Sequence, residues 1–209
     1  MADLTQNKKS YHHGNLKEAC LREGLRFVRQ GNTQFSLRDL ARRAGVSHQA
    51  PYHHFGSRGL LLGALAMEGF ERFREQLQKA RLEGGDSRRV IKQMMRAYLD
   101  FAMNHPEHYH LMFSSPDVEF PVKDTKTETV GAGSFHELVL AVQQLQEEKR
   151  LSSKDPIGQA TTLWAWVHGV ATLIIRDRLD FVGIEKPLAK AAFDKLYKPI
   201  EKLFEKESR

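Results

Sequence analysis

His48, Gln49, Tyr52 and His53 sit within the run Ser47-His-Gln-Ala-Pro-Tyr-His-His-Phe55, and all four side chains can donate or accept hydrogen bonds. Imidazole, amide and phenol groups on one short face are the equipment for reading base edges in a DNA groove, where each base pair presents its own donors and acceptors. Ala50, Pro51 and Phe55, small or apolar, are left to face the other way. Ser47 can cap this short helix, and Pro51 then falls in about its first turn, where a missing N–H loses little.

The element before it must hold that face in place. Leu37, Leu40, Ala41 and Ala44 recur at i, i+3, i+4 and i+7, which predicts a short helix with one apolar stripe. Ser36 is placed to be its N-cap, with Asp39 three residues on completing a capping box. Gly45 follows where the chain must turn sharply, and Val46 can plug the angle between two helices. The whole reads as a helix-turn-helix over about residues 36–55, whose second helix lies where a recognition helix enters the major groove. Asn15 to Gln30, closed by Gly31, predicts a first helix that braces it.

Charge agrees with this reading. The chain of 209 residues carries a formal net charge of +6. Residues 8–58 hold ten Lys or Arg against three acids, so the remainder is close to neutral. A basic surplus confined to the helix-turn-helix segment is the footprint of phosphate contact. Lys8, Lys9, Tyr11, His12 and His13 extend it as a basic arm over residues 1–13.

Other chemistries find less support. No nucleophile stands beside a base in a signalled context, and there is no Gly-rich phosphate loop or zinc signature, so an enzyme is not expected. His105, His108 and His110 straddle a proline at spacings that do not share one helical face, so no metal or other cofactor is expected. One cysteine, Cys20, excludes an intrachain disulfide, and its place on an apolar stripe makes it a buried small hydrophobe. With no signal-peptide pattern or long apolar run, a cytoplasmic protein without membrane contact is expected.

The rest of the chain reads as helices. A long one runs from about Ser57 to Arg81, and others follow around Val90–Ala102, up to Phe113, from Ser134, from Asp155 to about Arg178 and from Pro187 to about Glu205. Residues 114–133, rich in Ser, Pro, Asp, Thr and Gly, read as a surface loop. The helix beginning near Asp155 is apolar nearly all round, and Leu188, Ala192, Leu196, Ile200 and Phe204 stripe the last one, with Pro199 predicting a kink. Such surplus apolar surface suits packing against a second copy. Met94, Met95, Tyr98, Met103, Met112, Phe113, Trp164 and Val167 are core residues by their stripes, and also candidates for an adaptable apolar pocket. His168, one turn from Trp164, can serve a ligand or a buried carbonyl.

The order Ser36-Leu-Arg-Asp-Leu-Ala, Ala44-Gly-Val-Ser, Tyr52-x-His54-Phe55, Ser57-Arg58 and Glu68-Gly-Phe70 resembles the N-terminal domain of TetR-type transcriptional regulators over about residues 12–74. Trp164-x-x-x-His168-Gly169 is similar to the subgroup with a Trp-His-Gly C-terminal domain. The resemblance implies an all-α homodimer. Its three-helix DNA-binding head would occupy residues 14–74, and a ligand-binding and dimerisation domain residues 75–209.

By the same resemblance Ser36, Ser47 and Tyr52 match positions that touch phosphate or sugar, and His48, Gln49 and His53 lie where bases are read. Arg58 stands where the family usually has Lys, and Arg38 joins the DNA-binding set. Gly59 replaces the acidic residue usual after that basic position, removing a favourable charge from the first turn of the long helix. The expected function is a ligand-released repressor acting on double-stranded DNA with a small-molecule effector. The alternative is a helical small-molecule-binding protein without specific DNA activity.

Overall fold

The computed structural model describes residues 13–121, 125–148, 154–183 and 189–202. Among them the chain is helical and has no strand: α1 (His13–Arg29), α2 (Leu37–Ala44), α3 (Ala50–Phe55), α4 (Arg58–Leu82), α5 (Ser87–Asn104), α6 (Pro106–Phe113), α7 (Thr125–Glu147), α8 (Pro156–Ile175), a 3₁₀ turn at Asp180–Val182 and α9 (Ala189–Glu201). Of the basic arm expected over residues 1–13, residues 1–12 lie outside the described residues and His13 opens α1; Leu188 and Phe204 of the C-terminal stripe also lie outside them.

The chain divides into two compact units. One runs up to Leu65, so it includes the first turns of α4, and also takes in Pro116–Pro121; the other holds Ala66–Ser115 and the residues after Pro121. In the first unit, the head, Leu37, Leu40 and Ala41 of α2 are buried with Phe35, Phe55, Leu61, Leu62 and Leu65. Gly24 of α1 lets Leu61 and Leu65 come close, because a Cβ there would meet the Leu61 side chain at 2.9 Å. Cys20 is fully buried in the same unit, and burial pushes its thiol pKa up, which keeps it an inert space-filler.

The second unit packs α5 against α7 and α8, with α9 laid on α5. Its core joins Phe73 and Leu77 of α4 to Ile91, Met95, Leu99 and Phe101 of α5, Val142 and Leu145 of α7, and Leu163, Val167 and Ala171 of α8. α9 enters this core through Phe193 and Tyr197, which are 1% exposed; the Leu196 and Ile200 of the expected stripe are only partly buried. The predicted stripe is therefore rotated: aromatic rings, which bury more area than Leu or Ile, turn inward. Pro199 lies two residues from the end of α9, so the hydrogen bond it removes belongs to the last turn.

Two further expectations are corrected. The segment 114–133 is not a loop throughout, since α7 begins at Thr125. Its Thr and Gly residues hid a helix whose partners lie far away in sequence, and packing overrides weak propensity. Ser47 does not cap α3 with its side chain. Gln49 occupies the N-cap without a side-chain cap bond, and the Ser47 carbonyl accepts from the Ala50 N–H at 3.0 Å, a 3₁₀-type entry.

Candidate DNA-reading face and candidate effector cavity

The capping box at α2 is complete. The Asp39 N–H donates to Ser36 Oγ at 3.1 Å, and the Ser36 N–H and hydroxyl reach Asp39 Oδ2. That hydroxyl, followed by the Ser36 N–H and the nearby Arg42, holds the Asp39 carboxyl below its ordinary pKa. Gly45 closes α2 at φ 68°, the left-handed region where a side chain is strained. α3 then buries Ala50, Pro51 and Phe55 and exposes Tyr52 and His53, with Tyr52 44% exposed; His48 and Gln49, expected on the same helix, are exposed just ahead of it, His48 in the preceding turn and Gln49 as the N-cap. Ser36, Arg38 and Ser47 are exposed as well.

Most cations of this unit are already engaged. Glu23, 5% exposed, sits beside Arg26 at 2.6 Å, Arg43 at 3.0 Å and Arg22 at 3.8 Å. Arg43 also stacks over the Phe27 ring at 4.7 Å, and Arg42 pairs with Asp39 at 2.8 Å. Within the helix-turn-helix, Arg38 is the cation with no ion pair among the described residues. It is therefore the one free to meet phosphate without first losing a partner.

Arg58 is not free. It donates to the Thr33 carbonyl and to Asp117 Oδ1, the latter at 3.2 Å. Asp117 belongs to a strap, Pro116–Pro121, that the head incorporates. Gln34 donates to Asp117 at 2.9 Å, Ser57 Oγ donates to Glu119 Oε2 at 2.9 Å, and the Glu119 N–H donates to the Gly59 carbonyl at 3.1 Å. A Cβ at Gly59 would collide with the Glu119 carboxyl, and one at Gly63 with the Glu119 carbonyl. The acidic group that α4 lacks in its own first turn is thus supplied by Glu119, beside the positive end of the helix dipole.

In the second unit a cavity of about 420 Å³ is lined by residues of α4, α5, α7 and α8 and by Phe113 at the end of α6. Of the pocket candidates, Met94, Met95, Tyr98, Phe113 and Trp164 line it, and Met112, Val167 and His168 do not. Met112 instead packs against Gly69, where a Cβ would stand 2.8 Å from its sulfur, and Val167 is core. His168 stands behind Tyr98: its Nδ1 is 2.9 Å from the Tyr98 hydroxyl and 2.9 Å from the Tyr109 hydroxyl, and the two hydroxyls are 3.3 Å apart. Burial pushes the His168 pKa down, and raises the Tyr98 and Tyr109 phenols above their ordinary values.

Phe70, Phe73, Leu77, Gly131, Ser134, Phe135, Leu138 and Thr161 also line the cavity and are not among the residues the sequence predicts for it. Several of these were visible as stripe residues, but a gap between stripes is a property of packing and leaves no local signal. The three histidines near the α5–α6 junction diverge: His105 links the two helices, His108 is buried and His110 is exposed.

A capped helix-turn-helix carried by a three-helix head, joined in sequence to a larger helical unit with an apolar cavity, defines the class of one-chain transcriptional regulators. The family model described as bacterial regulatory proteins, tetR family, matches residues 26–65, and that described as tetracyclin repressor-like, C-terminal domain, matches residues 91–197. A solved protein of unknown function from Rhodococcus sp. RHA1 is 32% identical, with 92% of this chain and 98% of that one covered at a TM-score of 0.75. The TetR family transcriptional regulator PfmR from Thermus thermophilus shares the fold at 21% identity (88% and 93% covered, TM-score 0.64). So does NalD, the secondary repressor of the MexAB-OprM multidrug efflux pump in Pseudomonas aeruginosa, at 18% identity (94% and 99% covered, TM-score 0.66). No curated protein matches the sequence.

The chain belongs to the TetR family and is a DNA-binding transcriptional regulator. The Trp-His-Gly grouping is not among the matched families and stays a likeness of Trp164, His168 and Gly169 alone. Among the described residues, no helix is long and apolar enough to cross a membrane.

Proposed function

We propose that the protein is a repressor of the cytoplasm that binds a pseudo-palindromic operator as a homodimer and is released by a small apolar effector. The observation that carries this reading is the exposed row His48, Gln49, Tyr52 and His53, which runs from the turn before α3 onto that helix and which the α2 capping box and Gly45 hold in register. Residues 14–74 act as the DNA-binding domain and residues 75–209 as the effector and dimerisation domain. Gln49, His48 and His53 read bases, while Ser36, Arg38, Ser47 and Tyr52 contact the backbone; Arg58 joins them when it leaves Asp117.

Dimerisation uses the apolar surplus of α8, on which Leu173 is 42% exposed and Trp166 and Val170 are only partly buried. Two heads then meet successive major grooves about 34 Å apart. Release is transmitted along α4, whose first turns belong to the head and whose Phe70, Phe73 and Leu77 line the cavity. An effector shifts the dimer only as far as its differential affinity for the two states allows.

The test is a band shift on duplexes selected from a random pool, at two salt concentrations. A palindrome with half-sites about one helical turn apart, bound less tightly as salt rises, is the expected result. Equal weak binding to every duplex would remove the operator reading and favour the helical binding protein instead.

A further inference from the structure

The cavity has a polar end of unusual construction. Of its lining residues six are aromatic (Phe70, Phe73, Tyr98, Phe113, Phe135, Trp164) and two are methionines. None of its described lining residues is Lys, Arg, His, Asp or Glu. An ion entering such a space would lose its hydration and gain no counter-charge, a cost that burial in an apolar medium makes large.

Tyr98 is the lining residue with hydrogen-bonding machinery behind it. A single imidazole nitrogen has either one lone pair or one hydrogen, yet His168 Nδ1 lies 2.9 Å from two hydroxyls. With the ring proton on Nε2, Tyr109 donates to Nδ1 and Tyr98 donates to Tyr109 across the 3.3 Å gap, so both hydroxyl hydrogens are used; with Thr172 beside Tyr109 and the Trp164 indole N–H beside Tyr98, one Tyr98 oxygen lone pair is what the cluster offers the cavity. With the proton on Nδ1, three hydrogens share two oxygens. The Nδ1–H donates to Tyr109, Tyr109 donates to Tyr98, and the Tyr98 hydrogen is left for the cavity. Switching the tautomer of His168 therefore lets Tyr98 meet either a donor or an acceptor.

We infer that the cavity takes an uncharged, ring-bearing apolar molecule with one hydroxyl or carbonyl, which Tyr98 engages and His168 and Tyr109 adapt to. This rests on the reading of the cavity as the effector site and names the chemical class of its occupant. All three groups of the cluster stay neutral through the neutral pH range, since burial raises the phenols and lowers the imidazole, so an anionic group would find no cation there.

The experiment uses the full chain without DNA and follows quenching of tryptophan fluorescence, Trp164 being in the lining. The probes are biphenyl, 4-hydroxybiphenyl, biphenyl-4-carboxylate and biphenylmethylammonium. 4-Hydroxybiphenyl is expected to bind roughly tenfold tighter than biphenyl, the value of one net hydrogen bond, and both charged probes much more weakly than biphenyl. Tyr98→Phe should abolish the hydroxyl preference and leave biphenyl binding in place. Gly131→Leu provides a second variant: a Cβ there meets only Phe70, at 4.0 Å, so a larger side chain fills the cavity and should remove binding of all four.

Charged probes binding as tightly as neutral ones, a hydroxyl preference that survives Tyr98→Phe, binding that survives Gly131→Leu, or no probe binding at all would each overturn the inference. Binding is read apart from DNA. A probe that follows the expected pattern yet leaves DNA bound would uphold the ligand class and count against ligand release.

Discussion

In the head, Leu40 and Ala41 are fully buried so that His48, Gln49, Tyr52 and His53 can be exposed in fixed positions; in the C-terminal unit, Met94, Met95 and Tyr98 are themselves buried around a space they do not fill. In the proposed reading the first arrangement presents hydrogen-bonding groups to a large external partner, and the second keeps apolar groups for a small internal one. The contrast extends to charge. Glu23, Asp39, Asp117 and Glu119 hold most of the head's arginines and the start of α4 in place, whereas the cavity lining has no ion among its described residues. A surface that works by position is locked by caps and ion pairs, while one that works by volume is defined by how helices fail to close on each other.

Substitutions can break this contrast at graded cost. Leu40→Ala opens a hole in a site with no exposure and should lower head stability by about 2–5 kcal/mol, read as a fall in the denaturation midpoint. Ser36→Ala removes the hydroxyl of the capping box and should cost about 1 kcal/mol, with DNA binding weakened both by the looser α2 register and by loss of the proposed backbone contact. Asp117→Asn acts in the opposite direction. It removes a carboxylate from the head and frees Arg58, so binding to every duplex should tighten several-fold at low salt and the gain should shrink as salt rises. Unchanged affinity would mean that Arg58 stays on the Thr33 carbonyl and never reaches DNA.

The pH dependence belongs to the second unit. His108 is 1% exposed, and neither ring nitrogen has a hydrogen-bond partner among the described residues. Burial holds its pKa below 6.5, outweighing the pull of Glu68 and Glu107, with Arg72 and His105 acting in the same direction as burial. The native chain therefore takes up this proton at lower pH than the unfolded chain does. Stability is complete above about 6.5 and falls as pH drops from there toward the lowered native pKa; His168 adds a loss of the same sign. His108→Gln should remove part of the difference between denaturation midpoints at about pH 7.5 and about pH 5.5, on either side of the ordinary imidazole value. An undiminished difference would assign the acid loss to His168 or to other groups.

Most of the head was readable because its signals are local. Ser36 with Asp39, Gly45, and the stripe of Leu37, Leu40 and Ala41 each act within a turn or two, and the structure shows each in its expected place. The strap was not readable, since Asp117 and Glu119 meet Arg58 and Gly59 across some sixty residues, and Gly59 by itself looked like a lost charge. The cavity was half readable. Stripes nominated Met94, Met95, Tyr98, Phe113 and Trp164, but which faces leave a gap depends on how helices meet, so Gly131, Ser134 and Thr161 gave no sign and His168 proved to stand one layer behind the lining.

In the proposed reading His48, Gln49 and His53, in the turn before α3 and along it, read sequence, while Arg38 only holds the backbone. Selection of duplexes from a random pool by the wild-type chain, Gln49→Ala and Arg38→Ala tests it most directly. All three should select one half-site spacing. Preference should be lost at one or two base pairs per half-site in Gln49→Ala, a loss of about 1–3 kcal/mol there, and Arg38→Ala should show uniformly weaker binding with a salt slope lower by about 1. An unchanged preference in Gln49→Ala, or a changed one in Arg38→Ala, would contradict the assignment of the reading face.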